Sequence, residues 1–160
     1  MIADLEQLIG LSVTEVFGTM LNFKVNLEAL GATLVNGEPH VASSVGFIGR
    51  LTGVVYLYST NSFASRMTRA LLRLEDHEKH GDDMVNDAMG ELANMVVGHL
   101  KSRLADRGMP CVLTIPSIVR GNHFSIEPMS SIERRVFCFR CNEDQLIVEV
   151  LIRTGAASNS

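Results

Sequence analysis

Apolar residues recur with two different periods along this chain, and the change of period distinguishes helices from strands. Over residues 4–21 the apolar positions fall at helical spacing, which predicts a first amphipathic helix. Residues 46–48 and 53–58 are instead alternately or continuously apolar and flank a short turn, which predicts an antiparallel hairpin. The first part of the chain is therefore expected to combine one helix with paired strands.

Polar and turn-forming residues set the bounds of the next two helices. The tripeptide TNS at residues 60–62 offers N-cap side chains to a helix predicted over residues 63–74. The acidic, histidine-containing segment LEDHEKHGDD forms an exposed link to a long helix predicted over residues 83–106. The tripeptide GMP at residues 108–110 ends that helix, because glycine and proline do not continue it.

The order of the predicted elements indicates the fold class. One short extended piece, residues 31–37, precedes the hairpin and ends in an Asn-Gly turn. Five more predicted strands follow the long helix, at residues 111–115, 117–120, 124–127, 133–141 and 145–153. The order helix, strands, helix, then helix and strands again indicates two related halves. It predicts an α+β fold with helices packed on a largely antiparallel sheet. We expect one domain over residues 1–154 and a frayed tail at residues 155–160.

Composition and charge narrow the class of protein. A chain of 160 residues that is 46% hydrophobic and 20% charged suits one well-buried core. Its net charge of -4 gives no basic surface, so a nucleic-acid partner is not expected. The start MIADLEQ lacks a secretory signal and no apolar stretch is long enough to span a bilayer, which predicts a cytoplasmic protein without membrane association. Three cysteines, an odd number, suit a reducing compartment.

The long helix has one apolar and one polar face. Its apolar residues gather on a broad side that is expected to face the core: Val85, Met89, Leu92, Ala93, Val96, Leu100 and Leu104. The opposite side brings together five other residues at near-helical repeats: Asp87, Glu91, Asn94, Gly98 and Lys101. A solvated surface is the ordinary interpretation of such a polar row.

Glycines and an amide on this helix suggest a second interpretation. Gly90 and Gly98 each cost about 1 kcal/mol of helix stability relative to alanine. A glycine beside the row of Asn94 would lower the surface and let another molecule approach the helix backbone. The amide of Asn94 can accept a hydrogen bond from a water and donate another, so it can orient the water without acting as a base. Phosphoryl transfer requires help of this kind, because it depends mainly on positioning and charge.

The segment DAMGELANMVVGHLK resembles the signature helix of the CheC, CheX and FliY family of chemotaxis phosphatases. The family pattern is Asp or Ser, three residues, Glu, two residues and Asn, and this chain matches it at Asp87, Glu91 and Asn94. The resemblance extends to the order of elements and to PSIVRG at residues 116–121. It implies a phosphatase whose substrate is the phosphorylated receiver domain of CheY or of a similar response regulator.

The resemblance also implies roles for individual residues. In the family the Asn enters the receiver's active site and aligns a water for in-line attack on the acyl phosphate, a role that falls here to Asn94. The Glu forms a salt bridge to the receiver's active-site lysine, a role that falls to Glu91. Asp87 occupies the first position of the pattern and is expected to contribute to docking. Independently of the resemblance, Met95, Gly98 and Lys101 lie on or near the same face and are further candidate contacts; core packing for Met95 and solvation for Lys101 are the ordinary interpretations. Mg²⁺ would come from the receiver, so no cofactor or metal of this chain's own is expected.

The first helix departs from the two-site pattern of some relatives. Such relatives repeat the Glu and Asn pair there, whereas SVTEVFG in this chain has Glu15 followed three residues later by Gly18. The amide that would orient water is absent, so we expect one site per chain. This feature makes the CheX-like branch the closer relative, and because that branch pairs through its sheets, a homodimer is expected.

Two other functions remain open at this stage. A non-catalytic module could use the same helix to bind a receiver, or to act as a flagellar or chemotaxis adaptor, without speeding hydrolysis. A structural dimer could carry a polar face that is only solvated. The first alternative predicts binding with an unchanged phosphate lifetime, and the second predicts no receiver binding.

Cysteines and histidines outside the signature helix favour ordinary roles. Cys138 and Cys141 have a redox-like spacing, but they lie in a predicted strand, where residues three apart point to opposite faces. His77 and His80 lie among acidic residues that could bind a surface metal, yet a solvated loop is the favoured interpretation. His99, at the edge of the polar face, is expected to pack or hydrogen bond.

Overall fold

The computed structural model describes residues 4–30, 40–121 and 132–153. In chain order, its elements are helix α1 (Leu5–Val16), extended by a π-helical turn (Phe17–Leu21), strands β1 (Asn26–Leu30), β2 (His40–Gly49) and β3 (Gly53–Thr60), helices α2 (Asn61–Leu72) and α3 (Asp82–Asp106), and strands β4 (Cys111–Leu113), β5 (Ser117–Gly121), β6 (Ile132–Cys141) and β7 (Asp144–Arg153).

The strands form one sheet whose pairing reveals the two halves of the chain. The order across the sheet is β1, β6, β7, β3, β2 and β4, with β5 also pairing with β2, and every pairing between these strands is antiparallel. Hairpin β2–β3 corresponds to hairpin β6–β7, and β3 and β7 are neighbours at the centre. The first half starts with α1 and contains hairpin β2–β3, and the second half starts with α3 and contains hairpin β6–β7. Strand β1, which follows α1, pairs with β6 of the second hairpin, and β4, which follows α3, pairs with β2 of the first. The predicted fold class and its two related halves are confirmed.

The three helices share one hydrophobic core with the sheet. Alternate residues of the central strand β7 belong to that core: Leu146, Val148, Val150 and Ile152. Strand residues with this alternation point to one face of a sheet, and α3 contacts β2 as well as both other helices. No helix in the described ranges is long and apolar enough to cross a membrane.

The elements agree with the sequence patterns where those patterns are local. Thr60 caps α2, as expected, because its side chain accepts a hydrogen bond of 3.2 Å from the backbone N–H of Phe63. The long helix and the second strand of the first hairpin lie where they were predicted, whereas β2 begins at His40, six residues before the predicted strand at 46–48. The short strand β1 was missed. The predicted pieces at residues 31–37 and 124–127, and the tail at 155–160, lie outside the described residues, so these expectations and the domain limits stay predictions.

Candidate functional site

Helix α3 forms the platform of the predicted site. It has 25 residues, and its apolar side is fully buried, with Met89, Leu92, Val96 and Leu100 at 0% exposure. Every apolar residue predicted to face the core is buried. Most of a helix's stability in a protein comes from such packing, so the backbone of α3 is held firmly where these buried residues pack, from Val85 to Leu104.

The opposite face of α3 carries the predicted site residues in an open position. Asp87, Glu91, Asn94 and Lys101 are exposed. Glu91 and Asn94 are three residues apart, about 4.5 Å along the helix axis. Neither side chain makes a hydrogen bond or ion pair with another residue in the described parts of the chain. Both side chains therefore remain available to a partner, while their roles in hydrolysis or docking stay predictions.

The two glycines of α3 have different surroundings. Gly90 is buried, and a Cβ placed on it would lie 3.4 Å from Cβ of Pro116 and 3.8 Å from Cδ1 of Ile118. Gly90 therefore marks the point where the chain of β4 and β5 packs against the helix. Its lack of a side chain serves internal packing.

Gly98 is the glycine that opens the outer face. It is half-buried, and a Cβ placed on it would meet no described atom within 4 Å. The backbone of α3 is accordingly accessible one turn beyond Asn94, as the sequence predicted. Met95, expected near this face, is half-buried and packs partly against the core.

The first helix approaches α3 through an ion-pair cluster that the sequence did not reveal. Oε2 of Glu15 lies 2.7 Å from Nη2 of Arg103 and 3.6 Å from Nδ1 of His99. Glu15 is thus engaged by two side chains of α3, whereas Glu91 has no such partner. Gly18 is exposed, and a Cβ placed on it would meet nothing described within 4 Å.

His80 makes two side-chain contacts that join the exposed link to α2. Nε2 of His80 lies 2.6 Å from Oγ of Ser65, and its Nδ1 lies 3.2 Å from Nη1 of Arg69. Because a guanidinium only donates, Nδ1 accepts and Nε2 donates to the serine, so the ring ties the exposed link to α2 without activating Ser65. In the described ranges, no group of three or more His, Cys, Asp or Glu residues is placed to hold a metal ion.

Cys138 and Cys141 are both buried free thiols on opposite faces of β6, as their positions in a strand predicted. Burial raises the pKa of each thiol. A thiol with a raised pKa holds little of the reactive thiolate form at neutral pH. Packing is therefore the role that the structure assigns to both.

Comparison with known protein families decides which family carries this arrangement. The model of the family described as "Chemotaxis phosphatase CheX" matches residues 41–140, more than half of the chain and the whole of α3. The chain belongs to the CheX family. The resemblance inferred from the signature helix is thereby confirmed.

Solved structures share the CheX-family fold over nearly the whole chain. The chemotaxis protein CheX of Desulfovibrio desulfuricans has a TM-score of 0.80 at 22% identity, over 94% of this chain and 99% of that chain. A chain of the CheX–CheY–BeF3–Mg²⁺ complex of Borrelia burgdorferi has a TM-score of 0.76 at 20% identity, over 92% and 97%.

A more distant neighbour carries the same fold under another name. FliY of Thermotoga maritima has a TM-score of 0.65 at 14% identity, over 91% of this chain and 84% of that chain. Identities this low show the fold alone. No curated protein sequence matches the chain.

Gly98→Ala is expected to stabilise the protein by about 1 kcal/mol, because alanine is the better helix former and its methyl group would meet open space. Urea denaturation of both proteins measures the difference. Gly108→Ala is the matched control and should destabilise, because Gly108 has a φ of 77°. A Gly98→Ala protein no more stable than the unaltered one would contradict the open position of Gly98.

Proposed function

We propose that this CheX-family chain hydrolyses the phosphoaspartate of a CheY-like receiver domain, and so ends a signal in chemotaxis or another two-component pathway. Asn94 orients the attacking water and Glu91 binds the receiver's active-site lysine. The receiver supplies the Mg²⁺. The reaction takes place in the cytoplasm, where response regulators act.

One observation carries the proposal: Glu91 and Asn94 are exposed, and their side chains have no partner among the described residues, on a helix whose other side is fully buried. A carboxylate and a carboxamide on adjacent turns can enter a neighbouring pocket together. The backbone beneath them does not have to be ordered when the receiver binds, because packing has already ordered it. The solved CheX–CheY–BeF3–Mg²⁺ complex of a protein with this fold supports a receiver as the partner.

The chemistry of the pair suits the hydrolysis of an acyl phosphate. The amide of Asn94 accepts a hydrogen bond from water through its oxygen and donates through its nitrogen, so it can align the water without carrying a charge. An anionic residue at this position would repel the phosphoryl oxygens. Positioning and charge dominate such reactions, and a well-aligned water is the part that this chain would contribute.

The surrounding residues would complete the docking surface. Asp87 and Lys101 are exposed on the same face as Asn94, one on each side of it along the helix. Gly98 leaves room for the receiver to approach the backbone, and the half-buried Met95 presents an adaptable thioether beside it. These four residues would set affinity rather than the chemical step.

Asn94→Ala is expected to lower the rate of receiver dephosphorylation about 100-fold, because the water is no longer aligned. Alanine is a better helix former than asparagine at an exposed position, so the variant should fold as well as the unaltered protein. The measurement is the loss of phosphate from a panel of phosphorylated receivers with Mg²⁺ present. A rate equal to that of the unaltered protein would exclude the assigned role.

Glu91→Gln separates docking from chemistry in the same assay. Loss of the negative charge should raise the KM for the receiver about tenfold and change kcat less, because a charged hydrogen bond to lysine is lost. Glu6→Gln, an exposed glutamate in the first turn of α1, removes the same charge elsewhere and should leave both constants unchanged. Receiver binding that leaves the phosphate lifetime unchanged in every protein would favour the non-catalytic module.

Gly18→Asn, added to Asn94→Ala, is expected to leave the rate at the low level of the single variant. The new amide would stand in a π-helical turn, so its position relative to Glu15 would differ from that of Asn94 relative to Glu91 in an α-helix. In addition, Glu15 is already bound by Arg103. A Cβ at position 18 meets no described atom, so the variant should fold. Recovered hydrolysis would show that the first helix can act as a second site.

Pairing of two chains through their sheets remains a prediction from the family resemblance. If it is right, light scattering of the purified protein should give twice the mass of one chain. If the protein is a monomer at working concentrations, the candidate site is still complete, because every residue assigned to it belongs to one chain.

A further inference from the structure

Arg120 of β5 bridges three elements around the start of α3. Its Nε donates to Oδ1 of Asn86 at 2.7 Å, and its Nη1 donates to Oδ1 of Asn61 at 2.9 Å. Its Nη2 reaches the backbone oxygen of Asp82 at 3.4 Å, and Nη1 lies 3.7 Å from the Asp82 carboxylate. Arg120 pairs with Val41 of β2, a fully buried core residue, so its side chain leaves the sheet toward the helices.

This location is unfavourable for a cation unless specific contacts compensate. The N-terminus of a helix carries a partial positive charge, which repels a guanidinium. Helix α3 begins after Gly81 without a side-chain cap, and its first turn contains two acids, Asp82 and Asp83. Arg120 therefore gains nothing from the helix dipole itself. Its contribution to stability comes from the rigid, planar guanidinium group, which donates to three acceptors in fixed directions.

A second contact from the same stretch of chain holds α3 one turn further on. Pro116 packs against Gly90, and Arg120 binds Asn86, four residues earlier on the helix. Two contacts one turn apart fix both the rotation of the helix and its position along its axis. Asp87 directly follows Asn86 in the sequence, and Glu91 directly follows Gly90. A rotation of α3 at this point would move both acids at once.

We infer that Arg120 is a positioning residue, which fixes the start of α3 against the edge of the sheet so that the polar face meets a receiver in the correct orientation. The kinetic part of this inference rests on the proposed phosphatase function. The mechanical part does not, because it concerns only how firmly the first turns of α3 are held.

Arg120→Ala and Arg120→Lys test both parts. In the dephosphorylation assay, kcat of Arg120→Ala should fall about tenfold, because small misplacements of aligned groups are costly. Arg120→Ala should lower the melting temperature, whereas Arg120→Lys should keep it near that of the unaltered protein, because lysine retains the positive charge beside Asp82. Arg120→Lys should not restore kcat, because one ammonium group cannot reproduce the planar three-way bridge. In hydrogen exchange, amides of residues 85–90 should exchange at least tenfold faster in Arg120→Ala, with little change at residues 96–104; Val85 is the first residue of α3 whose amide donates to a backbone oxygen.

Two further variants make the comparison specific. Arg66→Ala is the matched control, because Arg66 also links a helix to a strand, donating from Nε to Asp144 of β7 at 3.1 Å. It should keep the kcat of the unaltered protein. Asn86→Ala should lower kcat, and adding it to Arg120→Ala should cause little further loss, because both changes break the same contact.

Each outcome decides between the inference and its rivals. A kcat for Arg120→Lys equal to that of the unaltered protein would overturn the inference in favour of a simple charge effect. Unchanged kcat and unchanged exchange in Arg120→Ala would overturn it entirely. If the unaltered protein hydrolyses no receiver phosphate, the proposed function fails, and the exchange of residues 85–90 alone then decides whether Arg120 positions α3.

Discussion

The one-sided burial of α3 is the constraint from which the rest of the arrangement follows. Its fully buried apolar residues join the core shared by the sheet and the other helices, so the helix can neither rotate nor slide without exposing them. Full burial of such a side chain contributes about 1.5–3 kcal/mol, and a small rotation would forfeit part of this for several residues together. The polar face is consequently held in a fixed direction by the packing of the opposite face. Glu91 and Asn94 need no internal partner to be well placed.

The sequence predicted those parts of the molecule whose causes are local. Amphipathic spacing predicted α3 and both of its faces, and the polar residues at 60–62 predicted the cap of α2. Strand β1 was missed because it is only five residues long and depends on its pairing with β6, where Glu28 contacts Arg140, 112 residues away. The contacts of Arg120 span 34 and 59 residues, and that between Glu15 and Arg103 spans 88. No periodic pattern records such pairs, so the supports of the site became visible only in the fold.

The two halves of the chain start with helices that share a glutamate but differ in what surrounds it. An exposed ion pair such as Glu15 with Arg103 is worth about 1 kcal/mol or less, which a strongly binding partner could overcome. Loss of an aligned amide corresponds to about 100-fold in rate, or about 2.7 kcal/mol. The glycine at position 18 is therefore the larger obstacle to a second site, and the ion pair adds to it. Glu15 instead stabilises the contact between α1 and α3, which helps to hold the helix of the candidate site.

The two glycines of α3 serve different purposes: Gly90 allows Pro116 to pack against the helix, and Gly98 opens the face proposed to bind a receiver. Gly98 costs about 1 kcal/mol, a small loss beside the burial of the apolar face. The cost is tolerable only because the opposite face stabilises the helix so strongly. The proposed reaction would take its metal and its acyl phosphate from the receiver, so this chain would contribute only the alignment of the attacking water. Movement of the backbone would impair that alignment. An open glycine beside Asn94 is thus compatible with such a reaction only where packing, Pro116 and Arg120 keep the surrounding turns in place.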